Sequence, residues 1–245
     1  MIKIENAEVV GWEHAIRGMR NPHNSWDKSD SGYCTYDCAD CQYDGSEICR
    51  FAHERAFIIG YNDLDLMKRL VSAGTDHRKF MRMIVVYVDV TAPMYWWKEF
   101  DTYKVGTVRN SCSTMHKITD KEFTLDDFST EHLIDSVYEY EECCVWYNDE
   151  YSNSATEVLE FLVNALNIYR NLFVKTKDKK YWWQIIQLLP ASYNQRATLM
   201  LNYEVLANIY HSRKSHRLDE WRDFCAWIES LPYSELITGG ENNGI

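Results

Sequence analysis

The stretch LLPASYNQRATLMLNYEVLANIYHSRKSHRLDEWRDFCAWIESLP, residues 188–232, decides how the chain is read. Pro190 closes any helix before it, because proline lacks an N–H and pushes its predecessor out of the helical region. Beyond Pro190 apolar residues recur at helical spacing, which predicts helices over residues 197–212 and 216–231. Asn202 stands inside the first of these among apolar neighbours. Asparagine is a poor helix former whose amide competes for backbone groups, so a specific hydrogen-bonding role is expected of it.

Upstream of this stretch, residues 179–189 and 154–174 read as further helices. The longer one carries Val158, Phe161, Leu162, Ala165, Leu166, Tyr169 and Phe173 at helical spacing. Residues 83–90, MIVVYVDV, are β-branched and aromatic with Asp89 as their one charge, which predicts a largely buried strand. Pro93 suits the first turn of a helix through MYWWKEFDTY. Asn62 suits the N-cap of a helix over residues 63–73, closed by Gly74. Residues 4–10 are an apolar stretch, WEHAIRGMR follows as a short helix, and residues 21–60 are polar and loop-like. The expected fold class is α+β: a helix-rich single domain over residues 1–238 with a small sheet, a Cys-rich inserted loop at 34–49 and a flexible tail at 239–245.

Composition limits the function. The chain has 245 residues and a net charge of −11, with no basic stripe, so it repels a phosphodiester backbone at long range. A small anion is still within reach, since one or two local arginines can hold a phosphate. Only ten glycines and four prolines are present, and neither a dinucleotide-binding fingerprint nor a Walker loop occurs. The opening MIKIENAEVV lacks an apolar signal-peptide core, and no apolar run approaches a membrane span. With eight cysteines, a cytoplasmic, reducing setting is expected, where thiols are free or bind metal.

Four of those cysteines, Cys34, Cys38, Cys41 and Cys49, form C-x3-C-x2-C-x7-C in an acidic run. Four thiolates at this spacing can close a tetrahedral zinc site, which would staple a long loop. Loose thiols and an iron–sulfur cluster are the alternatives. The first three alone resemble the motif of radical S-adenosylmethionine enzymes, but Asp40 stands where that motif has an aromatic, and Cys49 fills the ligand position it leaves open.

Residues 188–232 also resemble the C-terminal part of flavin-dependent thymidylate synthases, in which Leu-Pro is followed by N-x-R-x3-N-x4-R. Here Leu189-Pro190 is followed, in register, by Asn202, Asn208 and Arg213. VDVTAP (88–93) and the aromatic stretch after it are similar to the centre of the family. AIRGMR with Ser25-Trp26 is similar to its N-terminal A-x-R-x-x-R and Ser-Phe. The departures are specific. Thr102-Tyr103-Lys104 replaces Arg-His-Arg, NSCSTM (110–115) replaces N-E-x-S-x-R after one insertion, and Glu204 replaces a flavin-side arginine.

The resemblance implies reductive methylation, or a related C5 modification, of a pyrimidine deoxynucleotide such as dUMP. FAD would carry the hydride, with NADPH and methylenetetrahydrofolate as cosubstrates. It also implies a homotetramer with sites between subunits. By resemblance Arg213 is the catalytic group and binds the uracil edge, and Asn202, Asn208, Lys104 and Asn110 face the flavin. Ser113 and Arg109 hold the nucleotide. Two other readings stay open: a flavin- and nucleotide-binding homologue without the reaction, and a zinc-stapled interaction protein. The cysteine loop has no counterpart in the family pattern. Metal analysis of the purified protein should find about one equivalent of zinc per chain if the four thiolates form a structural site. Substantially less zinc or iron would leave them as loose thiols.

Overall fold

The computed structural model of the protein describes residues 2–34, 57–135, 145–147 and 151–239. Cys38, Cys41, Cys49, the Cys143-Cys144 pair and nearly all of the expected tail lie outside the described residues. Cys34 is half-buried and forms no disulfide. Among the described residues no group of three His, Cys, Asp or Glu could hold a metal ion. No described helix is long and apolar enough to cross a membrane.

The chain runs β1 (Lys3–Val10), α1 (Trp12–Arg20), β2 (Gly32–Tyr33), β3 (Phe57–Ile58), α2 (Tyr61–Ser72), β4 (Val85–Pro93), α3 (Met94–Phe100) and β5 (Val108–Ser111). It continues through β6 (Val145–Tyr147), β7 (Tyr151–Asn153), α4 (Ala155–Thr176), α5 (Lys179–Leu188), β8 (Asn194–Asn202), α6 (Tyr203–Arg213), α7 (Asp219–Glu229) and α8 (Glu235–Thr238). Four strands form one sheet in the order β1-β4-β8-β5, while β2-β3 and β6-β7 are separate antiparallel pairs. The fold class is therefore the helix-rich α+β arrangement expected. By backbone proximity the described residues fall into two compact units, one holding 90–102 and 110–197, the other 4–89, 103–109 and 198–239.

In the first unit, α4 and α5 are joined at Lys177 and Asp178. Lys177 takes the left-handed conformation at φ 57°, and the Asp178 side chain accepts from Lys180 N–H to cap α5. Ser154 and Glu157 close the start of α4 as a capping box. The core here is Ile118, Phe123, Phe128, Leu159, Val163, Leu166 and Ile185. Trp96 and Trp97 are buried, with Trp96 stacked on Phe100, so this pair is packing.

The largest expectation from the sequence is corrected at residues 194–213. Residues 197–212 are not one helix: Asn194–Asn202 is a strand, and only Tyr203–Arg213 is helical. Ala197, Leu199 and Leu201 are buried while Arg196, Thr198 and Met200 are more exposed, a period of two that a short apolar run disguises. Tyr203 N–H donates to Ile84 O, and Met94 N–H to Tyr193 O, the antiparallel pairing of β4 with β8. Asp89, the lone charge of β4, lies on the outward face, where it accepts from Asn6 Nδ2 (2.9 Å) and Thr198 Oγ1 (2.6 Å). The expected helices through MYWWKEFDTY and 216–231 are shorter than read, α3 ending at Phe100 and α7 starting at Asp219.

A distant residue also replaces the expected local cap on α2. Asn62 lies inside the helix, and Asp30 accepts from the N–H groups of Asn62 (2.9 Å) and Asp63 (3.1 Å). A Cβ on Gly60 would sit 2.1 Å from Asp30 Cγ, so glycine there permits the approach. Asp63, fully buried, pairs with Arg20 (2.6 Å) and accepts from Ser29 and Ser31 hydroxyls at 2.6 Å each. Arg20 in turn donates to the Ser25 and Lys28 carbonyls, so one ion pair pins the loop after α1. Burial would raise the Asp63 carboxyl, but the hydrogen bonds from Ser29, Ser31 and Arg20 outweigh it and hold the pKa below the ordinary 3.8.

Because the folded pKa is depressed, the charged Asp63 stabilises the fold above the ordinary carboxylate value, and that contribution is lost as pH falls through the folded value. Asp63→Asn, which strands the buried Arg20 charge, should cost about 3–5 kcal/mol in urea unfolding at pH 7. The gap between wild type and variant should close as the buffer is taken below the carboxylate range. A gap that stays constant with pH would contradict this assignment.

Candidate functional site

Helix α6 organises the residues singled out from the sequence. Its N-cap is Asn202, whose Oδ1 accepts from Val205 N–H at 3.0 Å. The hydrogen-bonding role expected of Asn202 is thus a helix cap, worth about 1 kcal/mol. The other side of the same amide faces Gly106, with Nδ2 3.5 Å from the Gly106 carbonyl. Gly106 has φ +78°, and a Cβ there would lie 2.8 Å from Asn202 Nδ2 and 3.2 Å from Val205 Cγ2. Both the left-handed backbone and the close approach select glycine.

Arg213 is the last residue of α6. Its Nε donates to Tyr103 Oη at 2.9 Å, and its guanidinium lies 4.7 Å from the Trp221 ring centroid and 5.7 Å from that of Tyr103. Tyr103 and Trp221 meet edge-on at 5.9 Å, and Trp221 is itself fully buried. A guanidinium on a tryptophan face gains about 0.5–2 kcal/mol, depending on desolvation. Arg213 is therefore an oriented, half-buried charge and not a solvated helix terminus.

Segment 103–106 thus touches both ends of α6, Tyr103 at Arg213 and Gly106 at Asn202. An eleven-residue helix is about 16 Å long, and three extended residue steps reach about 10 Å, so the long Arg and Tyr side chains make up the difference. Lys104 is exposed on this strap, Asn208 is the exposed member of an otherwise buried run on α6, and Arg109 is half-buried. Thr107 Oγ1, on the same segment, is buried without a hydrogen-bond partner among the described residues. A buried orphan of this kind is what a bound molecule satisfies.

The first turn of α6 carries Glu204, buried and paired with Arg78 through two contacts of 2.9 and 3.0 Å. The acidic residue at this position therefore brings its own guanidinium. Burial, with the charges of Lys214 and Arg78, lowers the His211 pKa below 6.5, so His211 is neutral at pH 7. Cys225 is buried and its thiol is pushed by burial up to about 11, which makes it a packing residue.

Two expected site residues, Asn110 and Ser113, fall in the first unit. Both are exposed, and Ser113 Oγ accepts from Met115 and His116 N–H at 3.2 and 3.1 Å as a turn cap. The structure thus brings together Asn202, Asn208, Lys104, Arg109 and Arg213 in one unit, and adds Tyr103, Trp221 and Arg78. Tyr103 had registered in the sequence only as a missing histidine. Arg78 sits in a turn with no pattern of its own, so nothing in the sequence signalled it.

The described cavities lie elsewhere in this unit. One of about 590 Å³ is lined by Trp12, His14, Tyr33, Phe57, Trp227 and Tyr233 among others, and one of about 390 Å³ by residues including Arg17, Trp26, Ser29 and Ser31. Neither is lined by Arg213, Asn202 or Lys104. Helix α6 carries Asn202 at its N-cap, Asn208 exposed along it and Arg213 at its last residue.

No family model matches the sequence, and no curated protein matches it. Solved structures do match the fold. Thymidylate synthase X from Helicobacter pylori, solved with FAD and dUMP, aligns with a TM-score of 0.60 at 16% identity over 98% of both chains. A second structure of the flavin-dependent enzyme from that organism, also with FAD and dUMP, gives 0.61 at 17% identity, over 97% of this chain and 98% of that one. The UMP/dUMP methylase PolB from Streptomyces cacaoi, bound to 5-Br UMP, gives 0.53 at 14% identity over 98% of this chain and 94% of that one. The protein has the fold of the flavin-dependent thymidylate synthases.

Gly106→Ala probes the strap directly. A left-handed non-glycine residue costs about 1–2 kcal/mol, so the melting temperature should fall by roughly 2–8 °C. An unchanged melting temperature would mean that the strap does not press on the cap.

Proposed function

We propose that the protein binds a pyrimidine mononucleotide such as dUMP against α6 and modifies its C5 position with a flavin as redox partner. The observation that carries this reading is Arg213, oriented by Tyr103 and Trp221 at the position where the resemblance has its nucleotide arginine. The three matched structures are named for FAD with dUMP or for 5-Br UMP, which supports the same ligand class.

The residues fit a flavin in their chemistry. Lys104 and Asn208 are exposed donors, and ammonium and amide groups suit a diphosphate and the polar edge of a ring system. When bound, the flavin would supply hydride and methylenetetrahydrofolate the carbon, with NADPH as reductant. Asn202 would serve through the cap, holding the strap over α6, and Asn110 would face the flavin as the resemblance implies.

This chain's own work is binding and charge control. Arg213 would donate to the uracil edge and stabilise the negative charge that develops there when C5 becomes nucleophilic. Ser113 would accept or donate at the phosphate, with Arg109 supplying positive charge. The surface would be completed by a second copy of the chain in a homotetramer, as the resemblance implies.

The Glu204–Arg78 pair favours a second reading, because a carboxylate stands where the resemblance has a guanidinium. On that reading the protein keeps the ligands without the thymidylate reaction.

Purified protein should take up FAD and show yellow flavin absorbance. With dUMP, methylenetetrahydrofolate and NADPH it should form a C5-modified nucleotide, and Arg213→Ala should lower the rate by about 10²-fold or more. Flavin and dUMP binding without product selects the second reading. Failure to bind either sinks both.

A further inference from the structure

We propose that the outward face of α4 is a surface on which two copies of this chain meet, their α4 helices paired antiparallel about Ala165. The inference rests on the homotetramer of the functional reading and deepens it by naming a face that this assembly covers. Helix α4 carries two apolar rows. Leu159, Val163 and Leu166 form the inward one and are buried in the core of the first unit. Val158, Phe161, Ala165, Ile168 and Leu172 form the other, at alternating spacings of three and four, the period of a coiled-coil seam.

At about 100° per residue, the second row lies roughly 150° round the helix from the first. Its largest member, Phe161, is 77% exposed, while Ile168 is 60% and Val158 39% exposed. Ala165 and Leu172 are half-buried. A helix that packs by one face ordinarily turns polar side chains to water on the other. Single exposed apolar residues need no explanation, but five in one row make a contiguous patch of the kind a partner covers.

The partner is a second copy because the charges beside the row complement their own image. Glu157 and Lys175 are exposed and eighteen residues apart, about five turns, so they stand on the same edge of the row at opposite ends. Antiparallel helices set like edges together, so Glu157 of each copy meets Lys175 of the other. A parallel pair would set each edge against the opposite one, which carries Leu162 and Tyr169 instead of charge. Glu157 Oε2 accepts from Ser154 N–H at 2.7 Å, and its carboxylate keeps further acceptor sites for an ammonium group. The row runs evenly about Ala165, seven residues from Val158 and seven from Leu172, so the smallest side chain falls where the two helices cross. Phe161 of one copy then lies beside Ile168 of the other. One helix pair buries less than the about 800 Å² per copy of a standard interface, so other contacts of the tetramer persist without it.

Phe161→Asp puts a charge into the row at a side chain that the single chain leaves exposed. Sedimentation velocity should show wild type as a tetramer and this variant as a dimer, its tetramer dissociation constant raised about a hundredfold or more. Its far-UV circular dichroism should match wild type. Lys175→Glu should also weaken the tetramer, and mixing it with Glu157→Lys should restore assembly, because only the mixed antiparallel pair has opposite charges at both ends. Mixing without restoration overturns the antiparallel pairing. A Phe161→Asp protein that stays a tetramer keeps the assembly and overturns this surface. Wild type smaller than a tetramer removes the homotetramer reading, and the proposal with it.

Discussion

A four-residue strap clamps α6 at both ends, and the candidate site depends on that clamp. At one end Gly106 lies against Asn202, whose side chain caps the helix. At the other, Tyr103 takes the Nε hydrogen of Arg213. The helix cannot start elsewhere without losing its cap, and its last charge is restrained by the hydrogen bond to Tyr103 and the nearby Trp221 ring. The backbone at α6's start is fixed too, since Tyr203 N–H donates to Ile84 O beside the central strands. Helix and strap therefore share one frame with the strand end at Ile84.

The charge layout follows the same economy of neighbours. A buried Glu204 near the start of α6 is favourable to the helix dipole but would be costly alone, and Arg78 meets it with two contacts. Asp63 is handled likewise by Arg20 and two serines. Arg213 also has aromatic neighbours, Tyr103 and Trp221.

Much of the fold was legible in the sequence, for reasons that differ by element. The β4 strand showed in its β-branched run, and α4 in its long apolar period. The α2 cap was not legible, because Asp30 reaches it across 32 residues from Asn62. The strand β8 was missed because ATLML is apolar without a strict alternation, so only burial reveals its period of two. Asn202 does conflict with a helix interior: it stands at the helix start, where its amide makes the expected specific hydrogen bond as the cap of α6. At the site, Arg213 and Asn208 were placed by a spacing that survives the strand, since Asn202 still heads α6. Tyr103 and Arg78 act through contacts 110 and 126 residues away in sequence, which no local pattern encodes.

Hydrogen exchange on the flavin-loaded protein, with and without dUMP, tests the central claim most directly. Ligand held against the clamped helix should slow amide exchange in residues 103–109 and 203–213 and leave residues 227–233, which line the larger cavity, unchanged. Slowing confined to residues 7–14 and 227–233, with no change along the strap and α6, would place the nucleotide in that cavity and contradict the account.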